Sequence, residues 1–307
     1  MKVRYGRVAI LLLAVAIVSL GLTAVFGIKA PQKSAKFSIV ASFYPLYTAA
    51  LNVVGSCDDV VVSCLTQPNT GCLHDYQLSP SERAVLGEAD VLIENGAGME
   101  SFLEPTLQSL PGLTVIDTSV GVELLACDEH DHGHAHEHSH NEHLWVDPSR
   151  YAEQVRRLRD GLCAADPAHA EVYTANTELY LQKIAAVQTQ LRELSLPFDG
   201  ALLFHDSMAY VADALQLEVV GTIPLGEEQS ASAADLVSIA TALREKRVLF
   251  LYDEQYRLMH QSLAGYADKA AIVHWNIAAR SISGVAEKEV WLFVMRQNIA
   301  ALKEAVV

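Results

Sequence analysis

The pattern of hydrophobic and polar positions predicts an α/β protein with two lobes. From Lys36 onward, short apolar runs alternate with stretches of helical periodicity. Strands that alternate with helices indicate βαβ units and therefore a parallel sheet. The pattern predicts eight strands: Phe37–Ala41, Val60–Cys64, Val91–Glu94, Thr114–Asp117, Ala201–Phe204, Glu218–Gly221, Val248–Tyr252 and Ala271–His274. Four of them precede the long helix described next and four follow it, so we expect two parallel-sheet lobes.

A single long helix is predicted to join the two lobes. Asp166 and Pro167 form a typical helix start, with Asp as the N-cap and Pro in the first turn. Apolar residues then recur at helical spacing until Pro197. Such a helix would be a rod of about 40 Å. The predicted organisation is a first lobe over residues 36–165, a connecting helix over 166–196 and a second lobe over 197–307.

Residues 1–35 form a predicted membrane-targeting segment. Arg4 and Arg7 precede an uncharged run from Val8 to Ile28, which as a helix would span roughly 30 Å and could cross a bilayer. The small-x-small site at Ile28-Lys29-Ala30 is poor, which favours an uncleaved anchor over a cleaved signal peptide. In both cases the positive charge places the remainder outside the cytoplasm, anchored at the cell surface or in the periplasm.

Composition narrows the possible partners. The formal net charge of −15 disfavours nucleic acid, whose binding proteins carry basic surfaces, and suits a protein that binds cations. Export makes a disulfide plausible. Because Cys57, Cys64 and Cys72 cluster in the sequence, we expect one bridge among these three.

A histidine-rich segment indicates transition-metal chemistry. Seven of the twelve histidines lie between His130 and His143, interleaved with acidic residues. Neutral imidazole is the commonest side-chain metal ligand. The low complexity of residues 128–143 predicts a loop that captures zinc weakly, and a dispensable solvated loop is the alternative. His136-Glu-His-Ser-His140 matches H-E-x-x-H, but that motif needs a helix to act in a zinc hydrolase, and this composition does not favour a helix.

Three histidines are predicted to share one metal ion between the lobes. Ligands of open parallel sheets bind beyond the carboxyl ends of strands. His74 follows the second strand, His143 closes the histidine-rich run and His205 directly follows the fifth strand. Three neutral imidazoles favour zinc and leave a fourth position open. Nearby carboxylates could orient the distal ring nitrogens, although helix capping is an equal alternative for the last of them: Asp75, Asp147 and Asp206.

Several segments together resemble a known protein family. They are Ala41-Ser-Phe-Tyr-Pro-Leu-Tyr47, Leu73-His-Asp-Tyr-Gln-Leu-Ser-Pro80, Ala89-Asp-Val-Leu-Ile-Glu-Asn-Gly-Ala-Gly-Met-Glu100, His143-Leu-Trp-Val-Asp-Pro148 and Phe204-His-Asp-Ser-Met-Ala-Tyr210. From residue 36 to 305 the chain resembles the solute-binding proteins of zinc and manganese ABC transporters (the cluster A-I, zinc-uptake-component-A or TroA-like family), as a zinc-type member. The resemblance implies two α/β lobes, a rigid connecting helix, metal held between the lobes and no enzymatic activity.

The resemblance also implies a ligand set. The family's three histidines fall on His74, His143 and His205. Manganese-binding members usually carry glutamate at the third place, so the resemblance implies Zn²⁺ rather than Mn²⁺. The family's fourth ligand is often an aspartate, and Asn276 stands in its place here. Since an amide oxygen is a poor zinc ligand, the fourth position stays open among Asn276, Glu254, His274 and water.

The function implied by the resemblance is transport rather than catalysis. We expect a monomeric, extracytoplasmic component that captures Zn²⁺ and delivers it to a membrane permease powered by an ATPase. The alternatives are an extracellular zinc buffer without a transporter, or a zinc-dependent hydrolase that uses the H-E-x-x-H-like stretch.

Overall fold

The computed structural model describes residues 36–67, 73, 76–126, 140–222, 237, 240–241, 243–244, 246–252 and 271–306. Lys36–Val307 form one compact unit. The predicted membrane-targeting segment, residues 1–35, lies outside the described residues. Among the helices that are described, none combines the length and the apolar character needed to cross a membrane.

Two four-stranded parallel sheets confirm the predicted fold class. The first sheet has the order β2-β1-β3-β4 and the second the order β6-β5-β7-β8, so both lobes repeat the same strand arrangement. The strands are β1 Phe37–Ala41, β2 Val60–Cys64, β3 Val91–Glu94, β4 Thr114–Asp117, β5 Gly200–Leu203, β6 Glu218–Thr222, β7 Val248–Tyr252 and β8 Ala271–His274. The eight strands agree with the sequence pattern to within one residue at each end.

Burial of the inner strands explains why the hydrophobic pattern predicted the strand positions. In a parallel sheet covered on both faces, inner strands become continuous apolar runs. All four residues of β5 are buried, as are four of the five in β7, whereas the edge strand β4 has only Ile116 buried. The described helices that cover these sheets are α1 Tyr44–Val54, α2 Pro80–Glu88, α3 Glu104–Leu107, α4 Pro148–Ala165, α5 Ala170–Arg192, α6 Met208–Ala214 and α7 Val290–Val306.

The connecting helix α5 is shorter than predicted. It begins at Ala170 after a 3-10 turn, Pro167–His169, and it ends at Arg192. The Asp166 carboxylate makes no backbone cap, because it accepts hydrogen bonds from the Tyr173 hydroxyl (2.7 Å) and the His169 ring (2.7 Å) instead. Near the other end, Pro197 has no N–H to donate, and its ring would clash with the Glu193 carbonyl if the helix continued. The helix therefore has 23 residues rather than nearly thirty.

Buried aromatic side chains join the two lobes. The Trp145 indole N–H, from the first lobe, donates to the Ile277 carbonyl in the second (2.7 Å). The Trp291 indole N–H donates to the Trp145 carbonyl (3.0 Å), and the Trp291 ring stacks on Tyr151 with a centroid distance of 4.2 Å. All three rings have no exposed surface. Apolar packing of this kind holds the two lobes in one defined arrangement.

The expected disulfide is wrong. Cys57 and Cys64 are both free thiols, so no pair remains among the three clustered cysteines. Cys57 precedes β2 and Cys64 ends it. The four residue steps from Val60 to Cys64 alone span about 13 Å, whereas a disulfide needs Cα atoms about 4.4–6.8 Å apart. Cys163 is also a free thiol, half-buried against Ala170.

Candidate metal centre

His143 is held rigidly in the first lobe. It precedes the 3-10 turn Leu144–Val146 and is fully buried. Asn141 Oδ1 accepts the backbone N–H of His143 (3.0 Å) and also lies 3.0 Å from ring Nδ1. An amide oxygen can only accept, so the ring proton belongs on Nδ1 and the lone pair on Nε2. A metal-binding imidazole has this arrangement, in which the nitrogen that does not bind the metal donates to an oxygen.

His205 occupies the matching position in the second lobe. It lies two residues beyond the carboxyl end of β5, where ligands of parallel sheets bind. Its Nδ1 lies 2.9 Å from Asp206 Oδ1 and 2.7 Å from the Ser207 hydroxyl. The Ser207 backbone N–H also donates to this Nδ1 (3.1 Å), whereas the Asp206 carboxylate can only accept, so these contacts do not select one tautomer of His205.

The two rings meet across the lobes. Their centroids are 5.1 Å apart, and the ring planes are nearly perpendicular at 87°. Asp206 Oδ1 lies 3.9 Å from His143 Nδ1, so this carboxylate faces both imidazoles. Among the described residues, one donor atom each of His143, His205 and Asp206 lie within 4.8 Å of one another. A tetrahedral zinc with bonds of about 2.0–2.1 Å separates its donors by about 3.4 Å, so small side-chain rotations would close this group on an ion.

Two of the predicted site residues lie outside the described residues, namely His74 and Glu254. Asp75, the carboxylate predicted beside His74, lies outside them too. Of the remaining candidates for the fourth position, His274 packs its ring 5.4 Å from that of Tyr252.

Asn276 is bound into the backbone of the second lobe. Its side-chain Oδ1 accepts the Ala278 N–H (2.8 Å), and its backbone N–H and carbonyl pair with the side chain of Asn298. One lone pair of the Asn276 oxygen is therefore engaged by its own loop. The fourth ligand stays a prediction.

The two described carboxylates near the predicted ligands have different roles. Asp147 caps helix α4 by accepting the Ser149 N–H (2.7 Å), and it also pairs with Arg150. Asp206 does not cap α6, whose N-cap residue is Ser207 and makes no side-chain cap. Its contacts with His205 and His143 agree with the predicted role of an acceptor for ring nitrogens.

A tight turn after β3 supports the segment that carries His143. Three successive residues, Gly96, Ala97 and Gly98, have positive φ angles of 78°, 55° and 94°. The buried Glu100 carboxylate accepts the N–H groups of Asn95 (2.8 Å) and Gly96 (3.1 Å) inside this turn. Burial raises the pKa of Glu100 to about 7, although these hydrogen bonds oppose the shift. The turn presents the Asn95 amide, which donates to the carbonyl of Glu142 (2.8 Å), the residue before His143.

Sequence reasoning missed two residues that surround the site. Asn141 lies inside the low-complexity histidine-rich run, where single positions carry little information. Tyr210 lies five residues after His205, on α6, and is fully buried. The one available signal was its presence in the Phe204–Tyr210 segment that resembles the transport family. A hydrogen-bonding role for either residue depends on contacts between lobes, which a sequence pattern does not contain.

Comparison with known proteins identifies a family. Residues 39–305 match the family model described as ZnuA, zinc-uptake complex component A, periplasmic. The chain is 29% identical over 253 residues to the iron-binding protein YfeA of Yersinia pestis, covering 81% of this chain and 79% of that protein. It is 27% identical over 293 residues to the high-affinity zinc uptake system protein ZnuA of Bacillus subtilis, covering 90% and 89% respectively.

The fold has solved counterparts. A crystal structure of ZnuA superposes with a TM-score of 0.71 at 22% identity, over 89% of this chain and all of that one. At this identity the likeness concerns the fold. Because the relatives include proteins named for zinc and for iron, the comparisons support metal binding without selecting one metal.

Proposed function

The chain belongs to the family of the periplasmic zinc-uptake complex component A, and from this membership we propose that it captures Zn²⁺ outside the cytoplasm and delivers it to an ABC permease. A cytoplasmic ATPase would power that permease. The role is that of a solute-binding protein rather than an enzyme. The proposal extends to attachment through residues 1–35 and to action as a monomer.

The observation that carries the proposal is the meeting of His143 and His205 from different lobes. Their rings lie 5.1 Å apart, and each has its Nδ1 beside an oxygen acceptor. For His143, whose Nδ1 faces the Asn141 amide oxygen, this arrangement leaves the Nε2 lone pair available for a metal ion. We propose that His74 is the third ligand, with the fourth position filled by Asn276, Glu254, His274 or water.

Zinc is the proposed cargo because of the donor set. Neutral imidazoles suit zinc, whereas carboxylate-rich and carbonyl-rich sets suit manganese. The third family position holds histidine here rather than glutamate, which supports Zn²⁺ over Mn²⁺. A site of three histidines also needs deprotonated rings, so metal affinity should fall as the pH drops below about 6.

Titration of the purified full chain with Zn²⁺ against a chelating indicator tests the proposal. We expect one tight site, which His205→Ala weakens by orders of magnitude, and crystals measured at the zinc edge should place the ion between the lobes. His169→Ala is the matched control, since His169 pairs with Asp59 (3.1 Å) and Asp166 at the start of the connecting helix. Several weak sites without a tight one would indicate a zinc buffer instead, and equal losses in both variants would refute the assigned ligands.

A further inference from the structure

Asn141 uses every polar group that it has. Its backbone N–H donates to the Leu125 carbonyl (2.8 Å), and its carbonyl accepts from the Tyr210 hydroxyl (2.6 Å). Its side-chain Oδ1 serves His143, and its Nδ2 donates to the Asp206 carbonyl (2.7 Å). The residue is only 1% exposed. A buried polar residue with complete pairing of this kind holds one conformation.

The contacts of the Asn141 amide define its orientation. The backbone N–H of His143 can only donate, and the carbonyl of Asp206 can only accept. Oxygen therefore faces His143, and nitrogen faces Asp206. In this orientation the amide oxygen selects the Nδ1–H tautomer of His143, and that tautomer leaves Nε2 as the metal-binding atom.

The same amide also links the two lobes. Asn141 precedes His143 by two residues in the first lobe, and Asp206 directly follows His205 in the second. One side chain therefore contacts both segments that carry the facing imidazoles. In the first lobe it orients the His143 ring, and in the second lobe it holds the backbone next to His205.

Tyr210 holds Asn141 in place from helix α6. The hydroxyl accepts the Leu125 N–H (3.1 Å) and donates to the Asn141 carbonyl. Ala126 and His140 form an antiparallel bridge beside this contact. The chain on both sides of residues 127–139 is thus tied to the helix that follows His205.

We propose that Asn141 is a positioning residue of the metal site, which sets the tautomer of His143 and holds the His143 and His205 segments at binding distance across the lobes. This inference rests on the proposed metal-binding function. The physical basis is preorganisation: when the imidazole rings are already oriented, metal binding does not carry the entropic cost of ordering them. Partners that orient a ligand from behind typically contribute roughly 10- to 100-fold to metal affinity.

The test compares the full chain with Asn141→Ala, Asn141→Asp and Asn176→Ala. Asn141→Ala should weaken Zn²⁺ binding roughly 10- to 100-fold. The matched control is Asn176→Ala, since the Asn176 amide also links two separate elements by donating to Val53 O (3.0 Å), but at helix α1. The control should keep the wild-type Zn²⁺ affinity, and thermal unfolding with a chelator present reports whether each variant is folded.

The tautomer supplies a measurement that needs no metal. NMR spectra of the histidine ring ¹⁵N nuclei, recorded with a chelator present, should show the His143 proton on Nδ1 in the wild type. The same result is expected for Asn141→Asp, because this variant keeps an oxygen acceptor at the same place. Asn141→Ala should lose this preference and give a mixture of tautomers. An unchanged His143 spectrum in Asn141→Ala refutes the positioning role, and so does wild-type Zn²⁺ affinity in that variant. Failure of the wild type itself to bind Zn²⁺ tightly would instead refute the proposed function.

Discussion

Replacing Arg150 tests whether one guanidinium ties the lobes together. Arg150 lies on α4 of the first lobe and pairs with Asp147 at 2.5 Å. It also reaches Asp213 on α6 of the second lobe at 2.7 Å, and its charge lies over the Tyr210 ring, 4.8 Å from the centroid. Its Nε also donates to the Glu123 carbonyl (2.9 Å), and Arg150→Ala removes all four contacts, so the free energy of unfolding should fall.

The expected size follows from the burial of each contact. The Asp147 side chain is 4% exposed, so its unpaired carboxylate would be costly, but Ser149 still donates to it, which limits the loss to about 2 kcal/mol. The Asp213 side chain is 49% exposed beside a cleft of about 640 Å³, so this ion pair contributes less than about 1 kcal/mol. The contact with Tyr210 adds about 1 kcal/mol. The exposed hydrogen bond to the Glu123 carbonyl adds less than about 1 kcal/mol, so the total is about 3–4 kcal/mol.

Urea unfolding of the metal-free protein, followed by circular dichroism, measures this loss. A loss of about 3–4 kcal/mol should also lower the thermal midpoint by roughly 5–7 °C, because about 270 residues have an unfolding entropy of about 0.57 kcal/mol/K. Arg156→Ala is the matched control, because Arg156 lies on the same helix in an exposed pair with Glu153 and should contribute less than about 0.5 kcal/mol. Arg150→Lys should recover only part of the stability, since one ammonium cannot replace the planar fork.

A double-mutant cycle separates the contact between lobes from the contact within the first lobe. The coupling between Arg150→Ala and Asp213→Asn should be below about 1 kcal/mol, and the coupling between Arg150→Ala and Asp147→Asn should be larger. A total loss below about 1 kcal/mol for Arg150→Ala would refute the reasoning, because it would mean that solvent replaces all four contacts.

Two further predictions concern pH and the histidine-rich segment. Burial raises the pKa of Glu94 to about 8 and that of Glu100 to about 7, so between about pH 4.5 and these values the folded protein holds protons that the unfolded chain has released. The free energy of unfolding of the protein, measured with a chelator present, should therefore fall as pH rises from 5 to 8.5, by at most about 1.4 kcal/mol per pH unit for each group. Glu94→Gln should make this decrease less steep. A free energy of unfolding that rises with pH over this range would contradict the raised pKa values. Deleting residues 129–141, most of which lie outside the described residues, should abolish the additional weak zinc binding seen in a titration and leave one tight site. Because this deletion also removes Asn141, a matched deletion of 129–139 should keep the wild-type affinity of the tight site. Loss of the tight site in the shorter deletion would show that its ligands lie within the histidine-rich segment.

The strands were predictable because their signal is local. An inner strand of a covered parallel sheet must be apolar along its whole length, and Val248–Tyr252 shows this without reference to the rest of the chain. The end of the connecting helix was less predictable. Its apolar spacing continues past Arg192, whereas the ring of Pro197 would clash with the Glu193 carbonyl in a longer helix.

The disulfide prediction failed for a related reason. Proximity along the chain suggested one bridge among Cys57, Cys64 and Cys72, but Cys57 and Cys64 are both free thiols, and the strand Val60–Cys64 extends the chain between these two. Spacing in sequence gives a distance only when the intervening conformation is known.

By itself, the sequence determined the α/β class, the strand positions and the histidines that follow strands, because periodicity and residue chemistry are properties of short segments. Only the tertiary structure decided that His143 and His205 face each other, that Asp206 lies beside both rings and that Asn141 spans the lobes. These relations join residues more than sixty positions apart. They arise from the packing of one lobe on the other, and hydrogen-bond geometry at such a junction leaves no periodic trace in the chain.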